Sequence, residues 1–152
     1  WVAAYWAAIT VGRLLAGALD ERIGPERLVV VGATAALFGA GLFWWGPELS
    51  LGAGGVGLVL VGLGLAPVFP SLVLLTPERV GPERSTAVVG YQLAAASVGA
   101  ALLPGLVGVL VDGIGLDVVA PTLVAFAVVL CLAIAATWWM PDASTRPEVA
   151  AD

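Results

Sequence analysis

The chain has 152 residues and a net charge of −5, with 61% hydrophobic and only 11% charged residues. A soluble domain carries roughly 25% charged residues, so water is excluded as the main solvent. The negative balance argues against nucleic acid, which selects basic surfaces. With no His and a single Cys, imidazole–thiolate metal sites and an internal disulfide are excluded as well.

Charge-free stretches run over 28–47, 49–77, 85–111 and 118–141, each of 20 residues or more, and a further one over 1–19 is interrupted only by Arg13. About 20 apolar residues span ~30 Å of hydrocarbon at 1.5 Å of rise each. The pattern predicts an all-α, polytopic membrane protein with five spans at about 1–19, 28–46, 51–75, 86–111 and 118–140. Residues 1–141 form the transmembrane part and 142–152 a polar tail. The chain opens on Trp1 with no basic segment ahead of its first apolar run, so that run does not read as a signal peptide. A fragment cut from a longer protein is expected.

The first span carries a row of small residues, Ala4, Ala8, Gly12 and Ala16, and Tyr5 as a neutral hydrogen-bonding group. Arg13 is its only charge, and an arginine at membrane depth costs at least ~2.5 kcal/mol unless it snorkels or pairs. Asp20, seven residues on, is the expected partner, as a fixed pair or as one that opens with a gate; a snorkel at the inner boundary and a contact to substrate are the other readings.

The turn that follows reads Glu21-Arg22-Ile23-Gly24-Pro25-Glu26-Arg27. The turn after the third span repeats it at six of seven positions as Glu78-Arg79-Val80-Gly81-Pro82-Glu83-Arg84. Glycine ends a helix at positive φ, proline opens the next, and glutamate meets its positive N-terminus. The heptads are either two ordinary turns or a gate. Arg22, Arg27, Arg79, Arg84 and the tail's Arg146 all fall on one side of an alternating topology. The positive-inside rule makes that side cytoplasmic, which gives a multi-pass plasma-membrane protein with a cytoplasmic C-terminus. Trp1, Tyr5, Trp6, Trp44 and Trp45 then mark outer helix ends, and Trp138 and Trp139 an inner one.

The second and fifth spans are rich in bulky residues and read as the outer, lipid-facing pair. The third holds Gly57, Gly62, Gly64, Pro67 and Pro70, so a kink or an unwound stretch lining a path is expected. The fourth has a small-residue stripe at Gly90, Ala94, Ser97, Ala101, Gly105 and Gly108, with Gln92, Ala95 and Gly99 opposite, and is expected to be surrounded by other helices or a cavity. Cys131 in the fifth is read as packing. No Asp or Glu lies inside a span. Gln92, Tyr91, Ser71 and Tyr5 suit an uncharged polar solute, or else hydrogen-bond between helices. No nucleophile–base set can be assembled, so neither catalysis nor a cofactor is expected.

The segment Gly12–Gly24 resembles the loop signature of the major facilitator superfamily, G-x-L-a-D-R-x-G-R-R. Gly17, Leu19, Arg22 and Gly24 match; Glu21 stands at the acidic position with Asp20 one place early, and Pro25 and Glu26 replace the basic pair. The stretches 64–71, 76–81 and 90–105 are similar to fucose-permease-like members. The resemblance implies helices 8 to 12 of a twelve-helix transporter, with the third span at the cavity and a missing N-terminal half as partner. It implies alternating access for a small polar solute, with a sugar by proton symport as the leading case. Gln92, Tyr91, Phe69, Ser71 and Tyr5 are the candidate solute contacts. Arg13, Gly17, Asp20, Glu21, Arg22, Gly24 and Arg27 form the candidate gating motif. A drug or metabolite exporter of the same superfamily and a stand-alone five-helix interaction protein are the alternatives.

Overall fold

The computed structural model describes residues 1–50 and 52–138, apart from the side chains of Pro47 and Trp138. Trp139, Arg146 and the tail lie outside the described residues. The described chain contains six α-helices: α1 (Val2–Ile23), α2 (Pro25–Leu49), α3 (Ala53–Leu65), α4 (Val68–Val80), α5 (Pro82–Ile114) and α6 (Val119–Trp138), the last preceded by a short 3-10 turn. With α3 and α4 taken together as Ala53–Val80, five segments are long and apolar enough to cross a membrane.

The helices run further than the apolar stretches. α1 continues through the polar residues to Ile23, and α2 begins at Pro25, so the turn between them is Gly24 alone. Gly81 does the same between α4 and α5. Charged residues at a membrane surface remain good helix formers, and the end of apolar character therefore does not end the helix.

The two heptads fold alike. Gly24 has φ 82° and ψ 151°, and Gly81 has φ 82° and ψ 154°. The Gly24 N–H donates to the Asp20 carbonyl at 2.9 Å, and its own carbonyl accepts from the Leu28 N–H at 3.2 Å. At Gly81 the corresponding bonds, to Pro77 and from Ser85, are 3.0 and 3.1 Å. One residue thus closes one helix and opens the next with both backbone groups paired, which a chain at the edge of lipid requires.

The α3–α4 junction is a kink rather than an unwound stretch. Ala66 (φ −55°, ψ −46°) and Pro67 (φ −79°, ψ −21°) both stay in the right-handed helical region. Pro67 and Pro70 have no N–H to offer the carbonyls one turn back, so the ladder is interrupted there and the axis turns.

α2, expected to lie outside, is instead the hub. It packs along α3 and also against α4 and α6. Its two faces divide the work. Val29 and Ala33 are buried with Leu75 of α4 and Ile134 of α6, while Val31 and Phe38 stay exposed. Bulk along the sequence marked the lipid-facing side of this helix and concealed the packed one.

The α2–α3 seam is built on glycine. A Cβ placed on Gly39 would lie 2.7 Å from the Gly57 carbonyl oxygen, and one on Gly57 would lie 2.7 Å from that of Gly39. Gly32 and Gly64 face each other in the same way at 2.5 and 2.6 Å, and a Cβ on Gly46 would collide with Gly54. In lipid the drive for helix association is close van der Waals contact, because the tails are as apolar as the side chains. α1 joins the seam through its own small row: Ala8 and Gly12 are buried, and a Cβ on Gly12 would meet Ala66 of the kink at 2.6 Å.

The small-residue face of α5 meets no neighbour in this structure. None of its residues is buried, and nothing lies within 4 Å of a Cβ built on Gly90, Gly105 or Gly108. Its small-residue stripe is open in this structure. The face that touches a neighbour is the one bearing Gln92, which meets α4.

Candidate functional site

Two polar contacts tie α4 to its neighbours. The Gln92 side-chain N–H donates to Thr76 Oγ1 at 3.0 Å, and the Thr76 hydroxyl donates to the Leu72 carbonyl at 2.9 Å. Thr76 is 4% exposed, so an unpaired hydroxyl there would be costly, and Gln92 is the group that completes its bonding.

The second contact joins the two heptads. Arg79 Nη2 lies 3.3 Å from Glu26 Oε1. Arg79 is the second residue of the later heptad and Glu26 the sixth of the earlier one, so the pair fastens the foot of α4 to the foot of α2. The candidate gating motif omitted both residues. The repeat puts both turns on one side of the bundle, but which charge of one meets which charge of the other is set by the packing of α2 against α4. Both side chains are partly solvated, at 28% and 62% exposed, so the pair is worth ~0.2–1 kcal/mol. A double-mutant cycle with Arg79→Ala and Glu26→Ala in thermal unfolding should give a coupling in that range. The reversed pair, Arg79→Glu with Glu26→Arg, should recover most of it. Additive single effects would mean that the contact contributes nothing.

The expected Arg13–Asp20 pair is absent. The one ion pair among the described residues is Arg79–Glu26. Arg13 is exposed on α1, so its guanidinium can reach out of the apolar layer along its own flexible stem, which removes the need for a partner. Asp20 Oδ1 is shielded from solvent and has no hydrogen-bond partner. Of the other motif residues, Gly24 forms the turn already described. Gly17 has open space around it, and Glu21, Arg22 and Arg27 are exposed.

The five candidate solute contacts do not converge. Ser71 is buried at 3% exposure in the face of α4 that also holds Val68 and Leu75. Gln92 is engaged by Thr76. Tyr5 lies against Gly62 of α3 and stands edge-on to Trp6 with ring centroids 5.6 Å apart. Tyr91 and Phe69 are exposed. Four surface hollows are lined by other residues. One of them, of ≈ 430 Å³, is wholly apolar and lies between α2 and α6 beside Phe38 and Trp45. Trp45 stacks on Trp44 at 5.2 Å and 8°. Among the described residues no cluster of His, Cys, Asp or Glu is placed to hold a metal.

Over residues 1–152 the chain matches the family profile described as Major Facilitator Superfamily. No curated protein and no solved structure matches it.

Proposed function

Because the chain belongs to the major facilitator superfamily, it is a membrane transporter sequence, and we propose that it serves secondary transport of a small polar solute by alternating access. A sugar moved by proton symport is the specific case favoured. The observation that carries the reading is the kinked third span, whose inner half α4 is fastened to α2 through Arg79–Glu26 and to α5 through Thr76–Gln92. An element interrupted at membrane depth and held by polar clasps on both sides is suited to shift as a unit when a path opens. The heptad-bearing side is taken as cytoplasmic from its arginines. The five spans are read as helices 8 to 12 of the full bundle.

In this reading Tyr91 and Phe69, whose rings are open, are the solute-facing groups retained from the candidate set. Gln92 is reassigned as a positioning residue that sets α5 against α4, and Ser71 as part of the packing. Uptake of labelled sugars into proteoliposomes, with and without a protonophore, tests the proposal. Gln92→Ala and Thr76→Val should slow uptake to a similar degree at little-changed KM, since an interhelical hydrogen bond in a membrane is worth ~0.6 kcal/mol and at most about 1.7. Tyr91→Ala should raise KM. A large KM effect of Gln92→Ala without a matching effect of Thr76→Val would return Gln92 to the solute site.

A further inference from the structure

The first heptad builds a hollow that the transport reading does not use. Ile23 from the end of α1 and Glu26, Arg27, Val30 and Val31 from the start of α2 enclose ≈ 360 Å³. Its composition is graded along the helix. Arg27 and Glu26 stand at the mouth, before the apolar run of α2 begins at Leu28, while Val30 and Val31 lie about one turn deeper. Val31 is 62% exposed on the outer face of α2, so the hollow opens sideways toward lipid.

Charge decides what fits. Glu26 is occupied by Arg79 at 3.3 Å, and Arg27 has no ion-pair partner among the described residues. The hollow therefore presents one uncompensated guanidinium above an apolar floor. The second heptad provides an internal comparison. Its matching positions Val80, Glu83 and Arg84 also line a hollow, of ≈ 710 Å³, but with Glu78 added and no valine floor. Neither glutamate there has an ion-pair partner among the described residues, so that hollow carries excess negative charge.

We propose that the hollow at Ile23, Arg27, Val30 and Val31 is a binding site for a membrane phospholipid, with the phosphodiester on Arg27 and the upper acyl chain along the two valines. A guanidinium matches phosphate geometry and keeps its charge at the interface, and basic pockets between transmembrane helices hold lipid headgroups by this means. The repeat thus yields one lipid site and one turn that repels lipid phosphate. The proposal rests on the membrane setting alone and not on any transported solute.

Native mass spectrometry of the purified protein in detergent, titrated with dioleoylphosphatidylglycerol, tests it. The wild type should retain one lipid through detergent washing. Arg27→Gln should weaken retention about fivefold, the effect of one arginine at a membrane surface. Val31→Trp, which fills the hollow and leaves the charge, should weaken it comparably. Arg84→Gln should change nothing, and dioleoylglycerol, which lacks the phosphate, should not be retained. Arg27→Lys keeps the cation and guards against a folding defect, so it should hold the lipid better than Arg27→Gln. Equal losses from Arg27→Gln and Arg84→Gln, no loss from Val31→Trp, or retention of the diacylglycerol would each overturn the proposal.

Discussion

Replacing Gly39 or Gly57 with alanine should lower the stability of the bundle by ~1–3 kcal/mol, the usual cost of forcing a methyl into a filled interface. The added carbon would meet backbone on both sides: the Gly57 carbonyl oxygen and the Val61 nitrogen at 2.7 Å from Gly39, and the Phe43 nitrogen at 2.5 Å from Gly57. Backbone cannot rotate aside as a flexible side chain can, so α2 and α3 must separate and lose contacts along their whole shared length. Gly64→Ala should behave alike, since its new carbon would lie 2.6 Å from the Ala36 nitrogen. Leucine at any of these positions should prevent assembly. The contrast lies on α5, where Gly90→Ala, Gly105→Ala and Gly108→Ala enter open space and should be neutral, or stabilising by up to ~1 kcal/mol through helix propensity. Thermal unfolding of the detergent-solubilised protein reads both sets. If the α5 variants proved as damaging as those of the α2–α3 seam, the packing order described above would be wrong.

Gly24→Ala and Gly81→Ala should each cost ~1–3 kcal/mol for a different reason, namely conformational strain. Neither glycine is crowded, and nothing lies within 4 Å of a Cβ at either. The difficulty is the backbone itself, since φ 82° with ψ near 150° lies in a region that is essentially glycine-only. Asparagine often replaces glycine at helix ends because it tolerates the left-handed helical region. It should not rescue these turns, because their ψ falls far from that region. Unfolding midpoints for the Ala and Asn variants at each position provide the measurement. An Asn variant as stable as the wild type would show that the turns relax to the ordinary left-handed cap. The double variant Gly24→Ala/Gly81→Ala should depart from additivity by no more than the Arg79–Glu26 pair that joins the two turns, ~0.2–1 kcal/mol.

How far the sequence could be read depended on which physical property each feature expresses. The five membrane segments were legible because lipid imposes a length and excludes charge, and both are visible along the chain. The heptad glycines were legible because a helix stop and a helix start each have a local chemical signature. Partner choice between helices was not legible from small residues alone. The stripe on α5 and the glycines of α2 and α3 look equally permissive in one dimension, yet only the latter meet backbone. Gly32, Gly39 and Gly46 recur at intervals of seven and face Gly64, Gly57 and Gly54 in reverse order. That antiparallel complementarity appears only when two segments are compared. Gln92 was recognised as a polar group inside a span, but its engagement by Thr76 depends on where the kink at Pro67 aims α4. Arg79–Glu26 escaped the reading for the same reason. Each residue was visible, but the register between them is a tertiary fact.

A turn of one residue leaves no slack. At Gly24 and Gly81 there is no loose strand to stretch, bow outward or swing between neighbouring helices, so a tilt imposed on one cylinder is handed to the next as torque about a single pair of bonds. The heptad-bearing face of such a bundle would behave as a linkage of stiff rods on hinge pins, and a peptide tag or protease site spliced into either hinge should jam it.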